Sequence, residues 1–269
     1  MGNPKFYQSI WQKKMSKRGY VSEILQKKQR TASTTRRWNL VSERLSHIRS
    51  IIDVAVVISN FDQLQEIEEL KGRGFDFFLD QIKTGHPIST LDYSHGLSQE
   101  LIRYIPIALV ACIEGYFRKL YADLIDHGSP YKENASKLSD IKFSIETVIS
   151  LEVNSVSIGE FVAHFLTANN LDDINKNISK LIGDDFLSRL KVMRNRAIGQ
   201  QSLFPINEEE QIGYMIQGIE HMFKLRHMFC HEIDPLLPKE DIQRILGYPE
   251  TTIDFLWISE FLINDLLSR

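Results

Sequence analysis

The sequence has little cysteine and lacks any long apolar run. Its two cysteines, Cys112 and Cys230, both sit in apolar helical patterns, where a free thiol behaves as a small buried hydrophobe. Two cysteines in such positions do not indicate a disulfide framework, and they favour a reducing, cytoplasmic environment. The longest apolar stretch, Tyr104–Ile113, is about half of the roughly 18 residues that a membrane-spanning helix needs, so we expect no integral membrane protein.

Other expected signals are missing as well. The first six residues lack the Ser or Thr of a myristoylation signal and an apolar secretory core, so we predict neither a lipid anchor nor an export signal. No phosphate-binding glycine pattern, internal repeat or strand-like alternation is present. What remains is helical periodicity, which predicts an all-α bundle.

The charge is divided unevenly along the chain. The net charge is −3, but residues 1–50 carry 12 Lys and Arg against two Glu, which leaves the rest of the chain strongly acidic. We interpret residues 1–35 as a basic arm, formed by a short amphipathic helix and a polar linker. Such an arm is suited to contact a nucleic-acid backbone, or to pack on the acidic body or on a second subunit. A third interpretation is a mitochondrial presequence, because no acidic residue precedes Glu23.

Residues 36–269 are predicted to form one helical domain. One helix face is predicted at Trp38, Val41, Leu45, Ile48, Ile52, Val56 and Ile58, and a second at Leu64, Ile67, Leu70, Phe75, Phe78 and Ile82.

The most apolar segment, Leu97–His127, predicts a central buried helix with Pro106 at a kink or in a first turn. Further helices are expected over Ile158–Thr167, Leu171–Ile182 and Asp184–Arg194, with Asp184 as a cap, then from Asn207 to about Ile233 and over Thr252–Leu267.

One short segment concentrates chemically active side chains: Arg226, His227, Cys230 and His231 fall within six residues. At about 100° per residue and with Arg226 at zero, Cys230 lies near 40°, His227 near 100° and His231 near 140°. Leu225, Phe229 and Met222 lie between about 260° and 320°. The two histidines should therefore share a face opposite the core, with Arg226 at the border.

Three interpretations of this cluster are open. The histidines can be satisfied at a helix packing surface while Arg226 pairs with a neighbouring acid. His227 and His231, at i and i+4, can both reach one metal ion, although no further ligand pair has suitable spacing. An imidazole can also act as acid or base on RNA while a guanidinium holds the phosphate, and a second copy of the helix would bring the two groups together.

The order Arg226-His227, three residues, then His231 resembles the R-x-x-x-x-H motif of HEPN domains, and is most similar to the RiboL-PSP-HEPN-like branch. The segment Ile107–Phe117, an apolar run with a Glu and an aromatic near its end, resembles an earlier helix of that branch. The resemblance covers about 130 residues, from Leu101 to Ile233. Two positions depart from the family pattern, since Glu232 stands where Asn is frequent and Ile233 where antitoxin-paired members often carry Tyr.

The resemblance implies an all-α homodimer that cleaves RNA, with tRNA among the candidate substrates, and needs neither metal nor cofactor. Arg226 would stabilise the phosphate, His231 would act as acid or base to leave a 2′,3′-cyclic phosphate, and His227 would orient the pair. Glu114 would hold Arg226 in place, or it is an ordinary surface carboxylate. Many members are toxins, controlled by an antitoxin, or antiviral effectors. Others are inactive modules that bind RNA or protein, which is the alternative function here.

Overall fold

The computed structural model describes residues 37–59, 90–138, 144–153, 155–198, 208–232, 237 and 239–268. Every regular element in these ranges is a helix, which confirms the all-α prediction. In chain order they are α1 (Arg37–Ser59), α2 (Thr90–His127), α3 (Tyr131–Ala135), α4 (Ile145–Val153), α5 (Ile158–Ala163), α6 (Leu171–Ile182), α7 (Phe186–Ile198), α8 (Glu208–His231) and α9 (Lys239–Leu267). None of them carries an apolar stretch that could cross a membrane.

Several predictions concern parts of the chain outside these ranges. They are the basic arm over 1–35, the helix face from Leu64 to Ile82, the capping residue Asn207 and the end of a helix at Ile233.

Helix α2 is the central element of the fold. It packs against α1, α3, α5, α6, α8 and α9, and its side chains are buried around most of its circumference, with Leu109, Ile113 and Phe117 inaccessible to solvent. The predicted buried helix is confirmed, including its end at His127, after which Gly128 adopts a positive φ of 108°. Pro106 is buried inside the helix and does not mark its first turn, because the helix already begins at Thr90.

Helix α1 lies against α2 through one apolar stripe. Val41, Leu45 and Ile48 are buried at the predicted spacing. The prediction fails at Val56, which is 41 % exposed, because Ala55 takes the buried position one residue earlier.

A partly buried ionic network fixes the start of α1. The Arg37 guanidinium donates to both carboxylate oxygens of Glu260 in α9, at 3.1 and 2.9 Å, and pairs with Asp123 of α2. The Tyr116 hydroxyl donates to Glu260 Oε2 at 2.8 Å. Burial and the neighbouring carboxylate raise the pKa of Tyr116 well above its usual value, so the phenol stays protonated. This network joins three helices that are distant in sequence.

Local backbone and side-chain contacts cap the two ends of the shorter helices. Helix α6 has the predicted bounds: the Asn170 side chain accepts from Asp173 N at 2.7 Å, and Gly183 adopts the left-handed conformation at its end. The predicted cap at Asp184 is wrong by one residue, because Asp185 directly precedes α7 and accepts from Ser188 N at 2.8 Å.

Helix α9 differs most from its prediction. It begins at Lys239, well before the predicted Thr252, and it contains Pro249. Proline removes one backbone hydrogen bond, so the sequence favours a break there. The helix continues because Ile245 and Tyr248 are buried on the same side as Phe255, and this burial offsets the lost bond.

We predict that Arg37→Met destabilises the fold by about 3 kcal/mol, because Glu260 would lose both guanidinium hydrogen bonds while Asp123 would keep its ion pair with Lys119. The measurement is the free energy of unfolding from urea denaturation. Arg49→Met is the control: Arg49 pairs with Glu250 at 3.4 Å on the surface, where both side chains are more than half exposed, and its loss should cost less than about 0.5 kcal/mol. Equal effects of the two substitutions would contradict the described network.

Candidate functional site

The clustered residues lie in the last two turns of α8. Buried side chains on this helix extend from Ile212 to Leu225, and no described residue from Arg226 to Glu232 is buried. Met228 and Phe229 are half-buried, whereas His227, Cys230 and His231 are exposed. The end of α8 therefore lies at the edge of the core, where Met228 and Phe229 pack against it and the opposite face is open to solvent.

Arg226 points toward the core side of α8. Ile219, seven residues earlier and so at nearly the same angle, is completely buried, as is Met222. Arg226 is 32 % exposed and also lines a groove with His227, as predicted for a residue at the border of the core face, although that face includes Ile219 and Phe223 and is wider than the sequence pattern suggested.

Glu114 of α2 meets Arg226 at this edge. Arg226 Nη2 donates to Glu114 Oε1 at 3.3 Å, and the two side chains are 32 % and 19 % exposed. Glu114 belongs to the stripe of α2 that also contains the buried Val110 and Phe117, so both charged groups occupy core-facing positions and partly neutralise each other there. The contact expected from the sequence is present, and the positioning role of Glu114 stays a prediction.

The two histidines share an exposed face, as predicted. The rings of His227 and His231 lie 4.7 Å apart between centroids and are tilted by 53°. Neither imidazole has a hydrogen bond or ion pair with another residue in the ranges described. The interpretation in which packing contacts satisfy these histidines therefore finds no support there.

A groove of about 760 Å³ opens beside Arg226 and His227. One wall is α8, which contributes Glu220 and Lys224 from the same face as the histidines. The opposite wall is the turn 169–172, where α6 begins. Arg226 is thus reached from a cleft large enough for a small ligand.

Helix α8 is held against α9 by contacts that sequence patterns did not indicate. His221 Nδ1 makes a short hydrogen bond with the Tyr248 hydroxyl, and the Thr252 hydroxyl donates to Met222 Sδ at 3.6 Å. Burial raises the pKa of Tyr248. These contacts fix the part of α8 that precedes the motif.

The metal interpretation relies on His227 and His231. In the described ranges, no three His, Cys, Asp or Glu side chains come close enough to hold an ion, so these ranges supply no third ligand to the pair.

The two cysteines differ in accessibility, although both are free thiols. Cys112 is buried as predicted, and burial raises its pKa to about 11. Cys230 is exposed, contrary to prediction, although Met228 and Phe229 directly before it still pack against the core.

We predict that iodoacetamide modifies Cys230 in the folded protein more than about tenfold faster than Cys112, since only exposed thiolates react readily. Mass spectrometry of timed samples, with a denatured sample as the control, measures both rates. Equal rates in the folded protein would contradict the described burial of Cys112.

A double-mutant cycle tests the ion pair at the site. We expect Arg226→Met and Glu114→Leu each to destabilise the fold and to show a coupling of about 1 kcal/mol in urea denaturation, because both groups are partly buried. The exposed pair Arg189–Asp184, at 2.6 Å, is the control and should give about 0.3 kcal/mol. Zero coupling between Arg226 and Glu114 would show that the contact does not hold the guanidinium.

No family model, curated protein or solved structure matches the chain. The resemblance to HEPN domains therefore rests on the motif in α8 and on the earlier helix, α2, alone.

Proposed function

We propose that the protein is a metal-independent endoribonuclease of HEPN type, in which Arg226 and His231 from two copies of the chain form one site. The observation that carries the proposal is the end of α8. There, Arg226 donates to Glu114 and lines a groove together with His227, whose exposed ring lies 4.7 Å from that of His231.

The chemistry follows from these groups. Arg226 gives one Nη2 hydrogen bond to Glu114, and its remaining N–H groups, which have no other partner among the described residues, would bind a phosphate as negative charge develops. His231 would take the proton from the ribose 2′-hydroxyl, whose oxygen attacks phosphorus. The 5′-oxygen then leaves with a proton from a second imidazole, which gives a 2′,3′-cyclic phosphate and a 5′-hydroxyl.

Two copies are needed because of the helix geometry. Arg226 and His231 are separated by about 7.5 Å along the helix axis and by about 140° around it, so one straight helix does not direct both at one phosphate. A two-fold axis near the end of α8 would place the Arg226 of one copy opposite the partner's His231. Met228 and Phe229 pack against the core, and the part of each side chain that stays exposed would supply apolar surface for this contact.

We further propose that the activity serves as a toxin or an antiviral defence effector, as the HEPN resemblance implies. The first 50 residues carry an excess of ten positive charges, which suits them to bind an RNA backbone.

The test is cleavage of total tRNA and of a structured RNA by the purified protein in excess EDTA. We expect fragments with 2′,3′-cyclic phosphate ends, and a loss of at least about 100-fold in rate for His231→Ala because a proton-transfer group is removed. Arg226→Lys should also lose most of the activity, since an ammonium cannot replace the forked guanidinium. His47→Ala, which removes an exposed imidazole of α1, should leave the rate unchanged.

Equal cleavage by wild type and His231→Ala would contradict the proposal. If wild type gives no fragments but retains RNA in a salt-dependent manner, the chain is a binding module that has lost catalysis.

A further inference from the structure

The groove beside Arg226 has a lining that the cleavage chemistry does not use. Glu220 and Lys224 face it from α8, and Asn169, Asn170 and Asp172 face it from the start of α6. Glu220, Lys224 and Asp172 make no ion pair or hydrogen bond with other residues in the described part of the chain. A Glu and a Lys at i and i+4 commonly pair on a helix. Because Glu220 and Lys224 do not pair with each other, both groups are available to a ligand.

The charges of the lining determine which part of an RNA fits. Two carboxylates would repel further phosphates, so this groove does not follow the backbone. Carboxylates accept hydrogen bonds from the N–H groups of bases, as a Glu or Asp does from the amino group of cytosine. Single-stranded RNA presents these edges to proteins when a base leaves its stack.

Distances along α8 match one nucleotide. Glu220 precedes His227 by seven residues and therefore points in nearly the same direction, and it lies about 9 Å from Arg226 along the helix axis. A phosphate bound at Arg226 and His227 would place the base of the adjacent nucleoside near Glu220. Lys224 lies between these points, beside the sugar.

The opposite wall is also suited to a base. The Asn170 side-chain oxygen is engaged by Asp173 N at 2.7 Å, which leaves its amide N–H groups as donors. Asn169 is exposed and offers both a donor and an acceptor. The groove thus combines carboxylate acceptors on α8 and α6 with amide groups on its second wall.

We propose that this groove is a base-binding subsite that selects guanine next to the cleaved phosphate, with Glu220 as the specificity-determining residue. The N1–H and exocyclic amine of guanine are adjacent donors that match the two oxygens of one carboxylate. Adenine and cytosine offer an amine without the neighbouring ring N–H, and uracil has no amine. The inference rests on the proposed function, since it assumes that the phosphate lies at Arg226.

The test is binding of uncleavable 2′-O-methyl oligouridine with one central guanosine, compared with the all-uridine strand, by titration of the full-length chain. We expect about tenfold tighter binding of the strand with guanosine, which is typical of one well-matched base contact. Glu220→Gln should reduce this ratio to below about threefold, because an amide has only one acceptor oxygen. Asp254→Asn, an exposed carboxylate of α9, is the matched control and should retain the ratio.

Equal binding of the two strands, or an undiminished ratio in Glu220→Gln, would overturn the subsite. Cleavage of unmodified RNA separates this result from a failure of the proposed function. If the protein binds the strand with guanosine more tightly but cleaves no RNA, the subsite is supported and the catalytic proposal is contradicted. If the wild-type protein cleaves RNA with no preference for guanosine, the catalytic proposal is supported and the subsite is contradicted.

Discussion

The fold depends on the burial of α2, a 38-residue helix whose apolar side chains need cover on nearly every side. Six other helices supply that cover in the described part of the chain, so their positions are set relative to α2. Two of its carboxylates pair with arginines of neighbouring helices. Asp123 forms an ion pair with Arg37 of α1, and Glu114 forms one with Arg226 of α8. One helix thus provides both the core and the two ionic contacts that orient the elements around it.

This arrangement explains how a stable helix presents reactive groups. The first part of α8 is held by α2 and α9 through burial and through His221. Its last turns pack against the edge of the core through Met228 and Phe229 and expose His227 and His231 on the other face. A guanidinium fixed by a carboxylate loses little side-chain entropy when it binds a phosphate, which is the benefit of a preorganised site. Exposure of the imidazoles leaves them open to a second copy of the chain.

Features set by local periodicity could be predicted from the sequence, and features set by tertiary contacts could not. The end of α2 and both bounds of α6 follow from apolar spacing and from Gly and Asn signals. The adjacent rings of His227 and His231 follow from their i, i+4 spacing. The start of α9 at Lys239 could not be predicted, because burial of Ile245 and Tyr248 continues the helix through Pro249 despite one lost hydrogen bond. The network around Arg37 joins residues more than 200 positions apart, and no local pattern signals it.

The central claim is that each site takes Arg226 from one copy and His231 from another, and subunit mixing tests it most directly. Arg226→Ala and His231→Ala are purified separately, mixed after reversible unfolding, and assayed for RNA cleavage in excess EDTA. Random pairing makes half of the dimers mixed, and each mixed dimer contains one intact site of two, so the account predicts recovery of about a quarter of wild-type activity. If the mixture stays as inactive as its components while wild type is active, the site does not combine residues of two copies.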